Sequence, residues 1–288
     1  MVSLRMVKKA AVLLDKAGAV PRLLIDEVCR HVVEEACILK EAIDHATDRA
    51  GKVPLAAWML SALQRVGLEA EDLRGMPRAA RGKSASSFVD LLLGQAASNG
   101  GQREPTFTGL ADVPEWCVVG WVRHEHHRGT IHLGKAELQA KASELSSDSP
   151  NISTVGQEGV PLLWALEGQN RTALFRLAGV PRRSTLTLYG APDVSDCVAR
   201  PLARMPGITV VRWGRHTELL PFGDLSRRLL ETMGVRWSTV PSVGGWLTYI
   251  RWCRSEKWSI ETAWTVARSE KGMRLALLGG IELAGLDD

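Results

Sequence analysis

The apolar run Val160-Pro-Leu-Leu-Trp-Ala-Leu166, followed directly by Glu167-Gly168-Gln169-Asn170-Arg171-Thr172-Ala173-Leu174-Phe175, constrains the fold more than any other stretch of the chain. A short continuous apolar run that stops at a glycine reads as a buried strand, and the residues after Gly168 read as a helix. The spacing therefore predicts a strand that turns into a helix on one glycine, within a sheet flanked by helices. The first N–H groups of such a helix lack internal partners, and its dipole adds partial positive charge at the same end. Gly168 lets the backbone approach a ligand, and Arg171, one turn in, can grip a phosphate with both arms of its guanidinium. A second reading needs no ligand: Glu167 and Arg171 paired with each other across one turn.

Upstream, the pattern is helical. Pro21 suits a first helical turn, Ile25, Val28, Val32, Leu39 and Ile43 recur at spacings of three, four or seven, and Gly51 marks a stop. A second helix is predicted after Pro54, with Leu55, Trp58, Met59, Ala62, Leu63 and Val66 on one face and Gly67 at its end. The helices around Gly67 faintly suggest a helix-turn-helix, but Glu69, Glu71 and Asp72 put negative charge where a recognition helix would meet phosphate, so bundle packing is the expectation. The Gly/Ser/Ala/Arg-rich stretch at 75–110 reads as a linker carrying one short helix around Phe88-Val-Asp-Leu-Leu-Leu93, with Arg74, Arg78, Arg81 and Lys83 on a solvated connector. Strands are predicted over Trp116–Val122, Thr130–Leu133, Ser184–Tyr189 and Ile208–Trp213, and helices over Lys135–Leu145 and Gln169–Leu177.

His124-Glu125-His126-His127, with His132 close by, carries metal-ligating residue types. Extended spacing sends residues 124 and 126 to one face and 127 to the other, unlike two histidines on one side of a helix, so a polar hairpin at Gly129 is the expectation and no metal ligand is assigned. One of these histidines acting as a general base beside the motif is the remaining alternative. Near the end, Trp237, Trp246, Trp252, Trp258 and Trp264 interleave with arginines. Such a mixture can stack bases, but Trp246, Ile250 and Cys253, and then Ile260, Ala263, Trp264 and Ala267, fall on helical stripes that predict a core. Arg251 and Arg254 remain as the nucleic-acid contacts.

Composition narrows the partners. The five cysteines are scattered without C-x-x-C spacing, which argues for buried thiols rather than disulfides or zinc. Residues 160–288 hold 17 Lys+Arg against 12 Asp+Glu, while residues 1–159 hold 19 against 20, so the basic excess lies with the motif half. Fifteen of those 17 cations are arginines, whose planar fork suits phosphates. The start of the chain lacks the apolar core of a secretory signal, and no stretch of about 18 apolar residues occurs, so a cytoplasmic protein without membrane partners is expected.

At Glu167, Gly168, Arg171 and Ala173 the chain resembles the ParB/sulfiredoxin superfamily, whose hallmark is an acidic residue, glycine, two polar residues, arginine and a nearby alanine at a strand-to-helix junction. The resemblance covers about residues 116 to 190, with Ala178-Gly179-Val180-Pro181 as the exit from the motif helix. With the helical and linker patterns on either side, it gives an α+β chain: a helical N-terminal region (1–74), a linker (75–110), a mixed α/β domain (111–235) and C-terminal helices (236–288). It implies a nucleotide, CTP or ATP/ADP with Mg, bound by Gly168, Gln169, Asn170, Arg171 and Thr172, with Glu167 as the catalytic residue if there is turnover. DNA is the implied partner, in maintenance, partition or regulation on a bacterial chromosome or mobile element. Sulfiredoxins carry a reactive cysteine directly after the motif glycine. Gln169 stands there, which excludes thiol repair. The second arginine motif of the partition clamps has only Arg123 and Arg128 as counterparts. A phosphotransferase or nuclease of the same fold, and an interaction protein with a degenerate site, are the alternatives.

Overall fold

Alternation, rather than helical spacing, governs the first strand pair. The structure, a computed structural model, describes residues 12–15, 20–47, 55–74, 85–98, 104–120, 133–147 and 152–279. Strands β1 (Val12–Asp15) and β2 (Arg22–Ile25) form an antiparallel pair, and β2 buries Leu23 and Ile25 while exposing Arg22 and Leu24. Ile25 and Val28 were expected on one helical face. Instead Ile25 ends a strand, and Val28 sits 85% exposed in a 3-10 turn, Glu27–Cys29, whose start is capped by the Asp26 carboxylate accepting from the Val28 N–H at 3.0 Å. The region before residue 75 is thus not wholly helical. Its strands join the central sheet where Asp112 N–H donates to the Pro21 carbonyl at 2.8 Å.

Helix α1 (Arg30–Thr47) is the central helix, and from Leu39 to Thr47 every side chain is buried. Three of those are charged, and buried charges persist only when paired. Lys40 pairs with Asp44 inside the helix, and Glu41 pairs with Arg176 from far along the chain. Helices α2 (Ala57–Arg65) and α3 (Ala70–Arg74) pack on α1, with Met59, Ala62, Leu63 and Leu73 buried and Gly67 at φ +69° between them, as bundle packing predicts.

The stretch read as a linker holds α4 (Ala85–Leu93), α5 (Gln95–Ser98) and the start of β3 (Pro105–Val113). Phe88, Val89, Leu92 and Leu93 are all fully buried in the main core. Small residues around one apolar island lowered its average hydropathy without removing its buried face. Arg78, Arg81 and Lys83 lie outside the described residues.

The larger sheet adds β4 (Val118–Val119), β5 (Ser153–Gln157), β6 (Leu163–Glu167) and β7 (Arg182–Tyr189), in the order β1-β2-β3-β7-β5-β6-β4. β7 runs antiparallel to β3 and parallel to β5, and β6 is antiparallel to β5 and parallel to β4. The strand predicted from Trp116 shrinks to two residues because Pro114 opens a 3-10 turn over Glu115–Cys117. Residues 121–132, which include His124, His126, His127 and His132, lie outside the described residues, and Leu133 stands in a bend before α6 (Lys135–Ser147) rather than in a strand. Helix α6 packs its Leu138 and Ala142 against Leu174, Phe175 and Ala178 of α7 (Thr172–Ala178).

A second sheet has the order β10-β9-β8-β11, formed by β8 (Val198–Leu202), β9 (Met205–Trp213), β10 (His216–Leu220) and β11 (Arg236–Trp237), with α8 (Gly223–Thr232) between the last two. One face shares the main core with the first sheet through Cys197, Ala199, Val211 and Trp213. The other carries a separate core under α9 (Gly245–Ser255), α10 (Ile260–Val266) and α11 (Glu270–Gly279). The expected stripes hold for Trp246, Ile250, Cys253, Ala263 and Ala267. They fail for Ile260 and Trp264, each 56% exposed, because α10 packs on the second core through Ala263 and Ala267. Trp264 stacks on Trp246 with ring centroids 6.3 Å apart. Two sheets covered by helices make an α+β fold, as the sequence implies. No helix among the described residues is long and apolar enough to cross a membrane.

Candidate functional site: an arginine-rich strand-to-helix corner

Strand β6 buries Leu163, Trp164 and Ala165 and then emerges, leaving Leu166 and Glu167 exposed. Gly168 turns the chain with φ +65° and ψ +28°, a left-handed conformation that strains any residue bearing a Cβ. A 3-10 turn over Gln169–Arg171 leads into α7, and Gly179 at φ +66° ends it. The corner predicted from the sequence is present at the predicted residues.

The side chains divide between building the corner and facing outward. Thr172, expected to bind ligand, is buried, and its hydroxyl donates to the Gln169 carbonyl at 2.8 Å. Gln169 Nε2 donates to the Leu166 carbonyl at 2.9 Å, so this side chain also ties the turn. Asn170 is described through its backbone alone. Gly120 presses on the same turn: a Cβ there would overlap Thr172 Oγ1 and the Gln169 carbonyl. Glu167 points to solvent, while its N–H donates to Ser153 Oγ at 3.1 Å. Arg171 is half-buried. Neither it nor Glu167 enters an ion pair among the described residues, so the pairing that would make a ligand superfluous is not formed.

Beneath the corner stands Arg182, 1% exposed, a residue the motif reading missed. Its guanidinium donates to the carbonyls of Glu167 at 2.6 Å and of Gly168 and Ser153 at 3.4 Å each. Its Nε has no partner. Burial, and then the neighbouring Arg171 charge, pull its pKa down from the usual arginine range to about 9. At neutral pH Arg182 is therefore a buried cation beside another cation, with no carboxylate paired to it among the described residues. The signal was legible: β7 buries Arg182, Ser184, Leu186 and Leu188 and exposes or half-exposes the residues between, a period-2 pattern that points Arg182 inward. Its neighbour Arg183 faces out and pairs with Asp112 at 2.9 Å.

Helix α7 has only seven residues, so its dipole adds little, and the positive field of the corner comes from the two arginines. The helix is fixed from behind by Arg176, which pairs with the buried Glu41 carboxylate and lies over the Trp58 ring at 5.1 Å. Among the described residues no group of three or more His, Cys, Asp and Glu side chains could hold a metal ion. The predicted nucleic-acid contacts, Arg251 and Arg254, are exposed on α9, over the second sheet, and no hydrogen bond or ion pair joins them to the corner.

Thiol chemistry has no support anywhere in the fold. All five cysteines are free and buried, and burial raises their pKa values, to about 11 for Cys29 and about 12 for Cys197. The native protein is expected to react with an aromatic disulfide reagent at pH 8 at least ten times more slowly than the urea-unfolded chain, with about five thiols per chain appearing on unfolding. A fast-reacting native thiol would contradict this.

Comparisons with protein-family models, with curated proteins and with solved structures returned no match to this chain.

Proposed function

We propose that the chain binds a phosphate group of a nucleotide or nucleic acid at the Glu167–Arg171 corner and acts as a ParB/sulfiredoxin-like protein in DNA maintenance, partition or its regulation. The observation that carries this reading is the juxtaposition of Arg171 and Arg182 at one corner, with neither in an ion pair with a carboxylate among the described residues. Two adjacent guanidiniums repel, and a buried cation without a counter-charge is costly, so an arriving oxyanion relieves both terms. The first amides of the Gln169–Arg171 turn add donors, Arg171 supplies the outward grip, and Arg182 adds charge from below while holding the carbonyls that shape the turn. Glu167 is the one motif carboxylate able to share a Mg ion with a bound polyphosphate, a coordination that one or two carboxylates plus phosphate oxygens can complete.

Calorimetry with CTP, ATP and ADP in the presence of Mg tests the proposal. Binding of at least one nucleotide is expected, weakened roughly 10- to 100-fold in Arg171→Ala, the loss of about 1.5–3 kcal/mol that a charged hydrogen bond contributes. Duplex DNA followed by fluorescence anisotropy is expected to bind with a salt-dependent affinity, and Arg251→Ala/Arg254→Ala to reduce the slope of log K against log salt by up to about two. Absence of nucleotide heat together with salt-independent or absent DNA binding would overturn the reading. Product release would move the assignment to a phosphotransferase or nuclease with the solvent-facing Glu167 as base.

A further inference from the structure

A second place where two arginines stand close together, neither in an ion pair with a described residue, lies on the other sheet. Val198 of β8 is in register with Arg212 of β9 on one side and with Arg236 of β11 on the other. Residues paired across a sheet point to the same face, and strands lie about 4.8 Å apart, so the two arginines rise from backbones roughly 10 Å from each other over a single buried valine. Arginine side chains are long enough to converge across that gap. Gly234, at φ +84°, ends α8 and turns the chain so that Arg236 enters β11 beside β8.

Both arginines line a cavity of about 470 Å³, whose other wall is the loop before β8 with Asp193, Ser195, Asp196 and Cys197. That volume lies in the range of small-molecule sites. Neither arginine forms an ion pair with any described residue, although two carboxylates share the cavity. The Asp193 carboxylate accepts from the Ser195 N–H at 3.0 Å. Asp196 remains exposed on the loop.

We infer that this cavity is a binding site for a small phosphorylated polyol, its phosphate held between Arg212 and Arg236 and its hydroxyls donating to Asp196 and the loop. A ligand that is anionic throughout is opposed by the carboxylates, and a cationic one by the arginines. A molecule with one oxyanion end and a hydroxyl-bearing end satisfies both walls. Cys197 lines the cavity while its side chain packs in the main core. The site is separate from the corner at Gly168 and does not depend on the function proposed there.

Calorimetry of the full chain with ribose 5-phosphate, ribose, inorganic phosphate and citrate tests the inference. Ribose 5-phosphate is expected to bind with an affinity at least tenfold above those of phosphate and citrate, with ribose inert. Arg212→Ala/Arg236→Ala, both at exposed positions and expected to leave the fold intact by circular dichroism, is expected to weaken it at least tenfold, and Asp196→Asn severalfold. Arg171→Ala is expected to leave it unchanged, which separates this site from the corner. Unaltered binding in the double variant, citrate binding as tightly as the sugar phosphate, or no saturable heat up to millimolar ligand would each overturn the inference.

Discussion

Arg176→Ala is expected to destabilise the fold by about 3–5 kcal/mol, the cost of removing one partner from a buried ion pair. Arg176 stands on the motif helix α7 and binds the Glu41 carboxylate of α1 with both Nε and a terminal nitrogen, while stacking over Trp58. Glu41 is 5% exposed, and without Arg176 its charge would be left in the core. Urea unfolding followed by tryptophan fluorescence measures the effect, and Arg176→Lys is expected to recover only part of it because an ammonium cannot reproduce the two-point contact. A midpoint unchanged in Arg176→Ala would show that this pair does not hold the helix. Because α7 follows directly from the corner, the same variant is also expected to weaken any ligand bound through Arg171.

The second large effect is expected inside α1. Lys40 and Asp44 are 1% and 5% exposed, pair one turn apart, and Lys40 also faces the Phe88 ring at 6.0 Å. Lys40→Met keeps the length of the side chain and removes the charge, leaving the Asp44 carboxylate in the core, at an expected cost of about 3–5 kcal/mol. A double-mutant cycle with Asp44→Leu is expected to give a coupling energy between about 1 and 3 kcal/mol. Additive single effects would mean that the two residues contribute through separate contacts.

The parts of the fold that a local pattern decides were legible in the sequence. The corner at Gly168, the α2 stripe ending at Gly67 and the burial of Cys253 and Ala263 each follow from a glycine or a helical period within one element. What escaped depends on which neighbour an element meets. Ile25 lies at a helical spacing from Val28, but pairing with the neighbouring strands, β1 along its length and β3 at Arg22, decided for alternation. The 75–110 stretch has the composition of a connector, yet the main core takes up Phe88 and Leu92. Trp264 carried the right residue type for a core, but α10 turns Ala263 and Ala267 to the core and leaves Trp264 stacked on Trp246. At the corner, the sequence supplied Glu167 to Thr172, but the structure reassigns Thr172 and Gln169 to holding the turn and adds Arg182, which the inward phase of β7 places under the Glu167 and Gly168 carbonyls.

The apolar layer running from Leu23 through Phe88, Leu186 and Val211 to Leu278 belongs to both sheets at once. Its consequence is that the motif cannot be excised. A fragment trimmed to the strands around Gly168 would bare the flank that Ala199, Val211 and Trp213 now cover, and lose Glu41, against which the motif helix is braced. Transplanting the Gly168 corner into another scaffold would therefore require carrying its supporting wall along with it.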